Sequence, residues 1–209
     1  MPGAPTNLLP AHVCAVGLTL TLANVTPGEN TDHVVEARAV VAAPAQLPQN
    51  PKARAAIVRA MIILKIAPHL RFPDARQRTA PFRIGVVGKD LLANAIREKL
   101  PGKQVGKRKV IIDVIDPEVA AKAERRTHDL LYVATTVTAP KVDKIVQRHE
   151  RLSTVLVCER AGFASKGGGI QLFVEKKKVR FEINQAALKK QQVRANPNLL
   201  KLSTKGPRK

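Results

Sequence analysis

Tryptophan is absent from this chain, and its 209 residues carry only six aromatics, five Phe and Tyr132. Proteins that hold single strands or RNA by stacking need rings beyond those their cores consume, so this scarcity counts against that role. Cysteine is almost as sparse. Cys14 and Cys158 allow one disulfide at most, which excludes a disulfide-stapled miniprotein and a four-cysteine zinc site. Catalytic signatures are missing too. There is no G-x-S-x-G elbow. The five histidines (His12, His33, His69, His128, His149) show no metal-binding spacing. Gly88-Lys89 follows an apolar run, but Arg83 stands where a phosphate loop needs glycine and Asp90 where it needs Ser or Thr. Gly88 is therefore read as a tight strand-to-helix turn. FRIGVVG lacks the third glycine of a dinucleotide fingerprint. Asp113, Asp116, Glu118, Asp129 and Glu159 fall near strand ends and read as solvated partners of the surrounding bases. No cofactor, metal or catalytic residue is assigned.

Positive charge is abundant instead: 36 Lys and Arg against 16 Asp and Glu, a formal +20. Such a balance attracts polyanions at low salt whatever the fold, so a basic nucleic-acid-binding protein is the competing functional reading. The bases sit on many elements rather than on one stripe. Residues 1–50 are the exception, with Arg38 as their single base against Glu29, Asp32 and Glu36. Within them Leu8–Val25 is apolar but short and interrupted by Pro10, His12 and Gly17, so it is a weak transmembrane helix. It has the apolar centre of a secretory signal without the basic start, and a disordered beginning is the equal alternative. The Ala/Pro/Gln run of residues 40–51 reads as linker.

Order is expected from Pro51. Ile57, Ala60, Met61, Leu64 and Ala67 lie on one helical face that Pro68 ends. Residues 70–81 read as a polar connection. Apolar runs then alternate with helices: Phe82–Val87, a helix over 89–100, Val110–Ile115, a helix over 117–126, Leu130–Val133, a helix over 139–151, and Thr154–Val157. This alternation predicts an α/β fold, a single-domain three-layer sandwich whose mostly parallel central sheet is covered on both faces. Ile170–Val174 and Val179–Ile183 alternate across a short loop, which predicts a C-terminal antiparallel β-hairpin. Ile170, Leu172, Val174, Val179, Phe181 and Ile183 would face the core, leaving Arg180 and Glu182 on the other side. A helix over 184–192 follows, and Leu199, Leu200 and Leu202 pack the end.

The most distinctive stretch is GFASKGGGIQLFVEKKKVRFEIN, residues 162–184. Its glycines could form an anion nest beside Lys166. The simpler reading is a loop that needs positive φ to enter the hairpin. Together with Phe72-Pro73, FRIGVVG, Asp129–Val133 and Leu199-Leu200, this stretch resembles the YfiR family, from about Lys52 to Ser203. The chain departs from that pattern at Glu159, usually Asp, in its aliphatic first helix, and in its capacity for only one disulfide.

The resemblance implies a non-enzymatic bacterial periplasmic protein, homodimeric, that binds the sensor domain of a membrane-bound diguanylate cyclase and restrains cyclic-di-GMP synthesis and biofilm formation. Other members serve sensor histidine kinases. It also favours a signal peptide over residues 1–25, followed by a disordered linker (26–50), a YfiR-like α/β domain (51–203) and a basic tail (204–209), with no membrane span after processing. Lys166, Gly167, Gly168, Arg180, Glu182 and Asn184 are the expected partner-binding residues.

Overall fold

The computed structural model describes residues 50–73, 80–125 and 127–207. The expected signal peptide and all of the linker but Asn50 lie outside the described residues. Helix α1 (Pro51–Ile66) starts as its sequence requires: the Asn50 side chain accepts from the Lys52 N–H at 2.9 Å and Pro51 takes the first turn. It buries Ala56, Ala60, Ile63 and Ile66. A 3₁₀ turn at Ala67–His69 leads into a two-residue strand, β1 (Leu70–Arg71).

Strand β2 (Phe82–Val87) is followed by α2 (Leu91–Lys99), β3 (Gln104–Val105), β4 (Arg108–Ile115) and α3 (Pro117–Ala121). Then come β5 (Leu130–Val133), α4 (Ala139–His149), β6 (Val155–Cys158), β7 (Ile170–Glu175) and β8 (Lys178–Ile183). Helix α5 (Gln185–Lys190), β9 (Arg194–Ala195) and α6 (Pro197–Leu202) complete the regular elements of the described residues. Seven strands form one sheet in the order β3-β4-β2-β5-β6-β7-β8, parallel from β4 to β7, with antiparallel β3 and β8 at the edges. This is the expected α/β architecture. The path from β2 to β4 runs one way along the sheet and every later crossover runs the other. Right-handed connections therefore put α2 and the α3/α4 pair on opposite faces. Accordingly α1 packs against α2, and α3 against α4.

Several local readings change. Helix α3 stops at Ala121 rather than at 126. Only Ala120 and Ala121 are buried in it, and the charged residues beyond offer no apolar face to hold another turn. Strand β4 is less covered than a central parallel strand: Ile111 is 37% exposed and Val114 61%. Short β3 pairs only with Arg108 and Lys109, so the rest of β4 is an edge. Leu70–Arg71, expected in a polar connection, instead pairs antiparallel with Arg194–Ala195.

The hairpin forms in the expected register, Leu172 opposite Phe181 and Ile170 opposite Ile183. Its loop is only two residues, with Lys176 and Lys177 both at positive φ. Val174, expected in the core, is 55% exposed near this tip. The opposite face is also covered: Gln171 is 0% exposed and Phe173 9%. The segment after α6 covers it, for Thr204 N–H donates to Phe181 O at 2.9 Å and Gly206 N–H to Glu182 Oε2 at 2.8 Å. Gln171 Nε2 and the Gly162 N–H both donate to Pro207 O.

Candidate functional site

A doubly wound sheet binds ligands where its strand order reverses, at the carboxyl ends of the strands on either side. Here that point lies between β2 and β5. Gly88, at φ +82°, makes the turn out of β2, and a Cβ there would come within 2.8 Å of Val137 Cγ2. Asp90 follows and is used completely. Its Oδ1 caps α2 through the Ala93 N–H at 2.7 Å. Its Oδ2 accepts from Tyr132 Oη at 2.8 Å, Thr135 N–H at 2.9 Å and Thr135 Oγ1 at 3.1 Å. Thr136 Oγ1 donates to Lys89 O, and Arg160 donates to the carbonyls of Thr135 and Val137. Burial, with Asp90 and Glu159 nearby, pushes the Tyr132 phenol well above its ordinary range, so it stays a donor. The polar groups at this crevice are thus engaged with one another.

Neighbouring groups are likewise engaged. Glu159, at the end of β6, meets Arg59 of α1 at 2.8 Å. Burial raises its carboxyl above the usual range, against the lowering influence of Arg59. Cys158 is buried and free, and desolvation lifts its thiol to about 11, which leaves it unreactive at neutral pH. Among the described residues no group of three or more His, Cys, Asp or Glu could hold a metal ion.

At the other end of the sheet the fold joins groups the sequence keeps apart. His128 Nε2 lies 3.1 Å from Asp113 Oδ2, and its Nδ1 lies 2.7 Å from Thr127 Oγ1. These contacts run in the order hydroxyl, imidazole, carboxylate, the order of a nucleophile relay, but the carboxylate is shared with a guanidinium. Asp113 is also held by Arg83 Nη2 at 2.8 Å, and Asp129 by Arg108 at 2.7 Å. None of the described cavities is lined by Thr127, His128 or Asp113. The arrangement is an ion-pair network that ties β2, β4 and β5 together.

The stretch over residues 162–184 is also a structural lock. The N–H groups of Lys166, Gly167 and Gly168 donate back to the carbonyls of residues 162–164, so they do not converge on an anion. Gly167 sits at φ +96°, in agreement with the simpler reading of this loop. Gly168 lies under the Phe163 ring: a Cβ there would fall 2.2 Å from Phe163 Cε1. Ala164 N–H donates to buried Gln171 Oε1, and Asn184 Nδ2 to Ala164 O at 2.6 Å. Asn184 also caps α5 through the Ala187 N–H at 3.0 Å. Of the six expected partner-binding residues, then, Gly167, Gly168, Glu182 and Asn184 make internal contacts. Lys166 is exposed, and Arg180, 3.9 Å from Glu175, keeps 42% of its side chain accessible.

A family model described as YfiR/HmsC-like matches residues 56–204. This chain belongs to the YfiR/HmsC-like family. A search of curated proteins finds no match. The matched span runs from α1 through α6 to Thr204, where the covering segment begins, and so includes both the loop lock and the hairpin. No helix among the described residues is long and apolar enough to cross a membrane.

Sequence reasoning missed Asp90, Gln171 and Gly206 as organising residues. Asp90 follows a Gly-Lys pair, where the sequence shows it only as the residue that replaces a phosphate loop's Ser or Thr. Gln171 stood on the polar side of an alternating strand, and nothing local shows that residues 203–207 return to cover it.

Proposed function

We propose that this YfiR/HmsC-like protein is a periplasmic, non-catalytic regulator that binds the sensor domain of a membrane receptor, a diguanylate cyclase or a histidine kinase, and holds its output low. Family membership supports the regulatory class. The observation that carries the non-catalytic reading is the self-satisfied switch point, where Asp90 accepts four hydrogen bonds from its own chain. Restraint by binding is a population shift: the regulator favours the inactive receptor by its differential affinity for the two states, tenfold for each ~1.4 kcal/mol. Lys166 and Arg180 are the partner-facing candidates on the loop and hairpin, and a homodimer would present two such faces.

The test is deletion of the gene followed by measurement of cellular cyclic-di-GMP and surface attachment. Both rise on deletion and fall again with the wild-type gene. A Lys166→Glu/Arg180→Glu version of unchanged thermal midpoint fails to restore them. Unchanged cyclic-di-GMP together with unchanged kinase-controlled transcription overturns the proposal. The formal +20 favours nucleic-acid binding as a second reading. Retention of an oligonucleotide at physiological salt would support that reading, and loss of all retention would remove it.

A further inference from the structure

A half-open groove of about 990 Å³ lies where β1, α5, β9 and α6 meet. Its apolar lining comes from Leu188 and Val193, both buried, and from half-buried Phe72 and Leu200. Its charged lining among the described residues is Arg71, Lys189 and Arg194, with no acid in that described lining. Arg71 and Arg194 are direct cross-strand partners in the β1-β9 ladder. Like charges placed directly opposite each other destabilise a strand pair, and neither arginine has an ion pair among the described residues. The ladder forms nonetheless, helped by buried Leu70 and the Asn196 N–H bond to His69 O at 2.9 Å.

We propose that this groove binds an amphipathic anion, a molecule with an apolar tail and one carboxylate or phosphate head, the head gripped by Arg71 and Arg194. Two guanidinium forks present the planar donor geometry that carboxylate and phosphate oxygens accept. Lys189 adds a third positive charge. A purely polar anion would leave the apolar floor wet, and a neutral apolar molecule would leave the opposed arginines uncompensated. A ligand carrying both parts matches both surfaces. The volume lies within the range of small-molecule sites. This inference does not depend on the receptor reading, because it rests on the groove alone.

The test is calorimetric titration of the full chain with decanoate below its micelle-forming concentration, beside decanol (tail alone) and inorganic phosphate (head alone). Decanoate binds saturably and at least tenfold tighter than either. Arg71→Gln/Arg194→Gln weakens decanoate at least tenfold, and its thermal midpoint without ligand is unchanged or higher because the opposed charges are gone. Equal affinity for decanol, equal affinity for phosphate, absence of saturable binding, or full binding by the double variant each overturns the proposal.

Discussion

Adding one methyl group at Gly168 tests whether the glycine-rich loop is held by packing. A Cβ built there falls 2.2, 2.3 and 2.6 Å from Cε1, Cδ1 and Cζ of Phe163. Carbon atoms rest at about 3.5–4.0 Å, so the ring has to retreat by more than ~1 Å. It has little room, being 2% exposed, and its own carbonyl is tied to the Gly168 N–H at 3.0 Å. Overpacking of this kind costs about 1–3 kcal/mol, and expulsion of the ring sets a similar scale through lost burial. Gly168→Ala is therefore expected to lose ~3 kcal/mol. Phe163→Leu alone should lose about 1–2 kcal/mol as a partial core truncation. The pair together should lose at least ~1 kcal/mol less than the sum, because the smaller side chain vacates the space the methyl needs. Gly167→Ala is the control. Its cost comes from φ +96°, with Val146 Cγ1 the single close neighbour at 3.1 Å, so Phe163→Leu should not relieve it. Urea unfolding of the variants followed by circular dichroism measures all of these. Additivity within about 0.5 kcal/mol for the Gly168 and Phe163 changes would refute the packing argument.

Three further outcomes follow from other parts of the fold. Gln192 sits at φ +57° past the end of α5, where the Val193 N–H bonds Leu188 O and the Gln192 N–H bonds Lys189 O. This is a Schellman cap with glutamine where glycine fits best, so Gln192→Gly should raise stability by about 0.5–1 kcal/mol in thermal unfolding, and a loss would show that the cap is misread. Ending the chain after Leu202 strips the cover from Gln171 and Phe173. It should cost about 2–4 kcal/mol from one uncovered aromatic and one orphaned buried amide, and an unchanged urea midpoint would refute the covering role. His149 is buried with Nδ1 2.9 Å from Ile145 O, and burial lowers its pKa, as it does that of His128. A lowered folded pKa means the unfolded chain takes up the proton first, so stability should fall as pH drops below about 6.5. His149→Gln should reduce that slope between about pH 6.5 and 5, and an unaltered slope would move the effect elsewhere.

The alternation of apolar runs with helical faces was legible in the sequence because period and cap are local properties. Phe82–Val87, Leu130–Val133 and the hairpin strands stand within a residue or so of where their patterns put them. The motifs of the YfiR/HmsC-like family were legible too, but the contacts their residues make were not. Gly168 is one glycine of a run in the linear chain, and only the fold sets the Phe163 ring above it. Glu182 stands on the polar side of β8 by alternation, and only the fold brings Gly206 back to meet it. Arg71 and Arg194 are two ordinary surface bases in the linear chain, and only the β1-β9 ladder makes them face each other.

Residue pattern alone settled the types of the main strands and helices, the parallel class and the absence of familiar catalytic signatures, since each depends on side chains within a few positions of one another. Folding in three dimensions decided the strand order, the closure of the switch point around Asp90, the covered second face of the hairpin and the basic-rimmed groove. Each of those needs contacts between segments tens of residues apart, and no periodicity encodes which distant segments will share the same space.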